Sequence, residues 1–139
     1  DKDLAFYRGK PLPLFDMAAL DWDGATGMLE FTRKVVELRT AWGKAIGSAA
    51  SNSFIALETG HEDVVAFLRH GGQQNVLLVL NRDLENAHQA KVDLNVFLPV
   101  DLPRLENMVP FSPAETFLPV RDRMLQGVLP PGSSFVFAW

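Results

Sequence analysis

The sequence contains no cysteine, and only three of its 139 residues are histidine. Without cysteine the chain can form no disulfide, offers no thiolate nucleophile and cannot bind zinc through sulfur. No apolar run approaches the roughly 20 residues that a membrane-spanning helix needs. Basic residues are also few, with 13 Lys and Arg against 17 Asp and Glu, whereas nucleic-acid binding needs clustered positive charge. The composition therefore predicts neither a nucleic-acid partner nor a membrane partner.

Met is absent from position 1, and Asp1-Lys2-Asp3 is too polar to open a secretory signal peptide. The start of the sequence therefore suggests a mature product or an excised piece. Nothing in the sequence indicates a compartment.

The composition that remains is that of a folded protein, with 47% hydrophobic and 22% charged residues. The charge is unevenly distributed. Residues 1–45 carry seven acidic and seven basic side chains, whereas residues 46–139 carry ten acidic and six basic side chains and hold the whole net charge of −4. This uneven charge, together with a change from helical to strand periodicity, predicts two parts, residues 1–45 and residues 46–139.

A helix is predicted in the first part. Apolar residues recur there at spacings of three and four, the period of one helix face, and they are Met28, Phe31, Val35, Leu38 and Trp42. We call this set the apolar stripe. Thr26 is a plausible N-cap and Gly43 a plausible C′ residue.

Short strands are predicted in the second part, where turn-forming residues separate short apolar or alternating runs. The predicted strands are residues 54–57, 64–69, 75–80, 89–97, 105–109, 116–120, 124–129 and 134–139. His70-Gly71-Gly72 should turn the second strand into the third as a hairpin. Residues 76–80 are apolar on both faces, which indicates a central strand, whereas Val92, Leu94 and Val96 alternate with polar residues. The sequence therefore predicts a mainly β fold, an antiparallel Greek-key-like β-sandwich of about eight strands preceded by one amphipathic helix.

No catalytic residues and no metal site are predicted. The histidines at positions 61, 70 and 88 are isolated in sequence and show no two-ligand spacing, so we interpret them as surface-loop residues. Asp21 with Asp23, and Glu62 with Asp63, are the local candidates for a carboxylate pair, and both are better explained as capping or turn residues. No G-x-S-x-G elbow and no glycine-rich phosphate loop occurs. No cofactor is expected.

Aromatic side chains are the remaining candidates for ligand contact. Trp42 belongs to the apolar stripe, and Trp139 alternates with Phe135 and Phe137. Both tryptophans are therefore predicted to pack on buried faces of the fold. Trp22 and Tyr7 lie in irregular sequence, where either packing or binding is open. We take Trp22 and Tyr7 as the candidate carbohydrate contacts.

Three stretches in order resemble the C-terminal end of α-amylase-type enzymes, glycoside hydrolase family 13. Residues 20–23 (LDWD) followed by 29–39 (LEFTRKVVELR) are similar to the loop and last helix of the family's barrel. Residues 63–69 (DVVAFLR) and 75–81 (NVLLVLN) resemble a hairpin of the family's C-terminal β-domain. Residues 128–137 (VLPPGSSFVF) resemble its closing strand.

The resemblance implies that residues 1–45 are the tail of a (β/α)8 barrel and residues 46–139 a C-terminal β-sandwich. The family's catalytic aspartate, glutamate and second aspartate lie on barrel strands four, five and seven, which would precede this sequence, so no catalytic residue is carried over. The implied role is an accessory domain that stabilises the parent catalytic barrel in cis, with α-glucan as a further ligand. The parent's substrate and linkage specificity are left open.

Two other functions fit the same sequence. A free-standing carbohydrate-binding module would present exposed aromatic side chains to sugar. A non-enzymatic sandwich used for adhesion or assembly would present a large apolar face.

Overall fold

The computed structural model describes residues 26–98, 102–109 and 116–139. Two helices open the described part of the chain, α1 over Thr26–Ala41 and α2 over Gly43–Ile46. Neither of these helices combines the length and apolar character needed to span a bilayer. The predicted helix is therefore present, and it is followed by a short second one.

Eight strands follow the helices in the described residues. They are β1 Phe54–Leu57, β2 Val64–Gly71, β3 Gln74–Asn81, β4 His88–Asp93, β5 Arg104–Glu106, β6 Phe117–Arg121, β7 Met124–Leu129 and β8 Ser134–Ala138. They form two four-stranded sheets with the orders β1-β2-β3-β8 and β4-β7-β6-β5. Neighbouring strands are antiparallel throughout. The predicted mainly β, antiparallel sandwich is confirmed.

The predicted β2–β3 hairpin forms, with its turn at Gly72 and Gln73 rather than at residues 70–72. Its register pairs Val64 with Asn81 at one end and Gly71 with Gln74 at the other. Gly72, in the turn, has a φ of 64°, a left-handed value that glycine adopts without steric cost. β3 lies between β2 and β8, so it is the central strand that its apolar sequence indicates.

The core lies between the two sheets and draws on both. Alternate residues of each strand point into it, as the period of a β-strand requires. The largest side chains that are fully buried are Phe135, Phe137, Leu68, Leu77, Leu94, Leu98, Leu125 and Leu129. Trp139 packs against this cluster, as predicted, and its indole N–H donates to the backbone oxygen of Phe97 at 2.9 Å.

Val96 corrects one prediction. The alternation along residues 89–97 places Val96 with the buried Val92 and Leu94, yet its side chain is 87% exposed. β4 ends at Asp93, and the backbone N–H of Leu98 donates to the oxygen of Leu94 at 2.9 Å. The chain therefore turns after Leu94, and the strand period no longer applies at Val96.

The apolar stripe of α1 is only partly buried. Phe31, Leu38 and Trp42 are half-buried, and Val35 is 39% exposed. Gly43 does not terminate the helix as a C′ residue; it begins α2, whose Ala45 is fully buried. The backbone of α2 lies so close to Gly71 that a Cβ there would overlap the Lys44 carbonyl. Thus α2, rather than α1, docks closely on the β2–β3 hairpin.

Candidate functional site

Tyr7 and Trp22, the predicted carbohydrate contacts, lie outside the described residues, as do Asp21 and Asp23. The other predicted carboxylate pair, Glu62 and Asp63, lies within the described residues. Glu62 is exposed, and the half-buried Asp63 accepts a hydrogen bond from Nε of Arg82 at 3.3 Å. Asp63 therefore pairs with a basic side chain rather than with a second carboxyl group.

Two of the three histidines meet in the fold. The rings of His61 and His88 stack with their centroids 3.9 Å apart and their planes 23° from parallel. His70 lies elsewhere, at the far end of the β2–β3 hairpin, where its Nδ1 is 2.8 Å from Oδ1 of Asn75. His61 lies in a loop, as predicted, whereas His70 and His88 lie in strands β2 and β4, and His61 and His88 are not isolated from each other in three dimensions.

Strand pairing brings the two histidines together. β2 begins at Val64 opposite the end of β3 at Asn81. The loop before β2 and the loop after β3 therefore lie side by side at one end of the first sheet. His61 belongs to the first of these loops, and His88 begins β4 directly after the second. We call residues 58–63 the first loop and residues 82–87 the second loop.

Thr59 holds the first loop in place. Its side chain is buried, with the hydroxyl 2.7 Å from the oxygen of Val64 and 2.9 Å from that of His61. The backbone N–H of Lys91 donates to the oxygen of Thr59 at 2.9 Å, which ties the loop to β4. Within the loop, Nδ1 of His61 accepts the backbone N–H of Asp63 at 3.1 Å.

Asn81 fixes the start of the second loop. Its side chain is fully buried, and its Nδ2 lies 2.8 to 3.2 Å from the carbonyl oxygens of Asn86, Leu129 and Pro130. Its Oδ1 accepts the backbone N–H of Asp83 at 3.0 Å. One amide thus joins the end of β3, the loop and the end of β7, and it satisfies carbonyl groups that burial would otherwise leave unpaired.

Asp83 organises the rest of the second loop. Its Oδ1 accepts the backbone N–H groups of Glu85 at 2.8 Å and Asn86 at 3.1 Å. Its Oδ2 lies 3.0 Å from Nδ2 of Asn86 and 2.8 Å from Nε2 of His88. These hydrogen bonds, led by the one from Glu85, hold the pKa of Asp83 well below its ordinary value. The carboxylate is therefore ionised at neutral pH and orients the His88 ring.

Three side chains around the loops offer metal-ligating atoms close together. One nitrogen each of His61 and His88 and one carboxylate oxygen of Asp63 lie within 4.8 Å of one another, and all three residues are half-buried. Spacing in the sequence shows no sign of this cluster, because His88 lies 25 residues after Asp63 in a separate segment. The available signal is the polar sequence Asn81-Arg82-Asp83 directly after a buried apolar strand.

Aromatic side chains at the surface form small stacks. Phe54, which is 53% exposed, stacks on Phe67 at 5.3 Å, and the guanidinium of Arg69 lies 5.9 Å from the Phe54 ring. On the second sheet, the guanidinium of Arg104 lies 5.0 Å over the ring of Phe117. Neither arrangement offers two rings side by side as a platform for a sugar chain.

A shallow depression of about 180 Å³ lies on the outer face of the second sheet. Its lining residues are Gln89, Pro119, Arg121, Gln126 and Gly127. Ligand pockets are commonly about 300–1,000 Å³, so this depression is small for a substrate site, and its lining contains no carboxylate.

The described fold is shared with parts of two α-amylases. The match to a noncanonic maltogenic α-amylase, AmyB from Thermotoga neapolitana, has a TM-score of 0.62 and 16% identity and covers 92% of this chain. The match to an Anoxybacillus α-amylase, described as representing a new glycosyl hydrolase subclass, has a TM-score of 0.52 and 11% identity and covers 79%. This chain spans only 29% and 22% of the respective amylase chains.

No family model and no curated protein sequence matches this chain. The structural likeness, at these identities, shows a common fold.

Proposed function

We propose that this chain is the C-terminal accessory region of an α-glucan-active glycoside hydrolase of family 13 and is not itself catalytic. The observation that carries the proposal is the match to AmyB, which covers 92% of this chain but only 29% of the amylase. A piece that corresponds to less than a third of such an enzyme fits an accessory region better than a complete hydrolase. The family motifs in residues 20–39, 63–81 and 128–137 agree with that placement.

The two outer faces of the sandwich support a packing role. The outer face of the second sheet is mixed, with Gln89, Lys91 and Asp93 of β4 beside the exposed Phe117 and Val128. The outer face of the first sheet is apolar along its central strands, and its residues there are Val65, Phe67, Leu78, Leu80 and Val136. An antiparallel sheet that faces water on one side carries polar residues on that side. The first sheet is therefore the side suited to pack against a neighbouring domain.

Helix α1 also supports a packing role. Its apolar residues Leu29, Val35 and Val36 are 42%, 39% and 57% exposed. Most helical stability in proteins comes from packing of the apolar face rather than from intrinsic propensity. A catalytic barrel in cis would cover these exposed apolar residues.

Hydrolysis by the purified chain tests the non-catalytic assignment. The chain is incubated with starch and with pullulan across acidic and neutral pH, and released reducing ends are measured. We expect no turnover above buffer. Turnover that co-purifies with the chain through successive columns would contradict the proposal.

Two further measurements separate the alternative functions. Titration of ¹⁵N-labelled chain with a linear maltooligosaccharide should shift no amide at millimolar ligand, whereas saturable shifts around Phe54 and Phe67 would favour a carbohydrate-binding module. Sedimentation should show a monomer for the accessory region. A stable, stoichiometric oligomer would favour an assembly role.

A further inference from the structure

We propose that His61, Asp63 and His88 form a binding site for one divalent transition-metal ion of the zinc type. The site lies where the first and second loops meet at one end of the first sheet. The inference is independent of the glucan-hydrolase assignment, since it rests only on side chains of the described fold.

The donor set selects the class of metal. Two imidazole nitrogens and one carboxylate oxygen suit Zn²⁺, Co²⁺, Ni²⁺ and Fe²⁺, whereas Ca²⁺ and Mg²⁺ prefer oxygen ligands alone. Three protein ligands would leave at least one coordination position for water or an external ligand, the pattern of an open zinc site. Within the described residues this is the group of ligating side chains that lies closely enough together.

Hydrogen bonding around His88 prepares that ring for a metal. Its Nε2 lies 2.8 Å from Oδ2 of Asp83, so an Nε2–H donated to this carboxylate leaves the lone pair on Nδ1. A carboxylate that orients a histidine in this way is the usual outer partner of a metal-bound imidazole. Asp83 is itself fixed by the backbone N–H groups of Glu85 and Asn86. The second loop therefore presents His88 in one tautomer and one orientation.

The first loop supplies the other two ligands from a backbone that is already held. Thr59 hydrogen-bonds within the loop, and Arg82 ties Asp63 to the second loop through its backbone N–H and its guanidinium. The three donor atoms lie within 4.8 Å of one another, so small side-chain rotations suffice to bring them to the metal bonds of about 2.0–2.2 Å. Coordination through Nδ1 of His61 would replace the hydrogen bond that this atom accepts from the Asp63 N–H.

The test is Zn²⁺ binding by the purified, chelator-treated chain at neutral pH. We expect isothermal titration with zinc chloride to show one saturable site per chain and the melting temperature to rise by several degrees in excess metal. Co²⁺ should give the visible absorption of a nitrogen- and oxygen-ligated ion. Ca²⁺ should leave the melting temperature unchanged.

Histidine variants provide the matched comparison. His61→Gln and His88→Gln should each weaken Zn²⁺ binding at least tenfold, and Asp83→Asn should weaken it roughly tenfold through loss of ring orientation. His70→Gln, which removes the histidine outside the cluster, should bind as the parent does. Circular dichroism without metal verifies that each variant folds, and if His88→Gln does not fold, His61→Gln decides the comparison.

Two results would overturn the proposal. One is the absence of binding at Zn²⁺ concentrations up to about 1 mM, which corresponds to the weakest useful affinity. The other is stoichiometric binding that His61→Gln leaves unchanged, because the ion would then occupy other ligands.

Discussion

At the scale of single residues, two side chains determine the loops at one end of the sandwich. Asn81 connects the end of β3 to the second loop and to the end of β7, and Asp83 closes the second loop on itself and on His88. Both residues replace backbone hydrogen bonds that the chain loses where it leaves the sheet. The end of the sandwich is therefore held by polar contacts rather than by apolar packing.

Asn81→Ala should destabilise the fold by about 1–3 kcal/mol, because the substitution leaves buried carbonyl oxygens without a donor. Urea unfolding followed by tryptophan fluorescence measures the change in the free energy of unfolding. Asn52→Ala, at an exposed loop position, is the matched control and should be near neutral. A loss for Asn81→Ala no larger than that of the control would contradict the role assigned to the amide.

Asp83→Asn should change how the free energy of unfolding depends on pH. The pKa of Asp83 is lower in the folded chain than its ordinary value of 3.8, so the unfolded state takes up a proton first as the pH falls. The contribution of this carboxylate to stability is therefore complete above that ordinary value and is lost as the pH drops below it. Asp83→Asn should be less stable than the parent at neutral pH and should lose less stability on acidification.

Unfolding free energies measured in chelator-containing buffer from about pH 5 downward test this expectation, since the loss begins near the ordinary pKa and continues as the pH falls toward the lower pKa of the folded chain. Asp122→Asn is the control, an exposed aspartate in the β6–β7 turn. The free energy of unfolding of this control should fall with decreasing pH as that of the parent does. An Asp83→Asn variant that loses stability with acid as steeply as the parent would contradict the assignment.

The sequence could not reveal the cluster of His61, Asp63 and His88. His61 and Asp63 lie on the first loop and His88 begins β4 after the second loop, and the pairing of β2 with β3 brings these segments together. Their immediate neighbours are turn residues, which predict a surface loop whether or not another loop lies beside them. What the sequence does show is that polar residues follow the apolar β3 at once, which marks the end of that strand as a polar region.

At the scale of elements, strands were predictable wherever the local pattern and the final packing agree. The β2–β3 hairpin has apolar strands and a glycine turn, and the closing strand β8 alternates Phe135 and Phe137 into the core. Val96 shows the opposite case, because the apolar alternation continues into a turn that the hydrogen bond from the Leu98 N–H to the Leu94 oxygen closes. Hydrophobic periodicity alone does not locate the end of a strand when the alternation runs on into the turn.

The short helix α2 was not predicted, because its four residues are too few to show a period. Its position depends on a close approach to the hairpin. The N–H of Lys44 donates to Oε1 of Gln74 at 3.2 Å, and Nη2 of Arg69 donates to the oxygen of Ile46 at 3.0 Å. Gly71 provides the space, since its missing side chain lets the Lys44 carbonyl approach.

Gly71→Ala should therefore destabilise the fold by about 1–3 kcal/mol, the usual cost of forcing extra atoms into a packed contact. Gly43→Ala is the matched control, because a methyl group there meets nothing within 4 Å. It should leave stability unchanged or raise it by up to about 1 kcal/mol through better helix propensity. Thermal unfolding of both variants measures the difference, and equal melting temperatures would show that α2 does not dock on Gly71.

At the scale of the whole molecule, the outer face of the first sheet is apolar along its central strands, whereas the outer face of the second sheet is mixed. The second sheet presents Gln89, Lys91 and Asp93 beside the exposed Phe117 and Val128, and the first sheet presents valine, leucine and phenylalanine. The exposed apolar residues of α1 add to this asymmetry. An accessory domain that packs on a catalytic barrel accounts for the apolar face and for the partly covered helix together.

The coding sequence immediately upstream of Asp1 tests this account most directly. The account predicts an uninterrupted reading frame that encodes a (β/α)8 barrel, with the family's catalytic aspartate, glutamate and second aspartate on its fourth, fifth and seventh strands. An in-frame stop codon followed by a start codon directly before Asp1 would contradict it. The chain would then be a free-standing sandwich, and its apolar face would need a different partner.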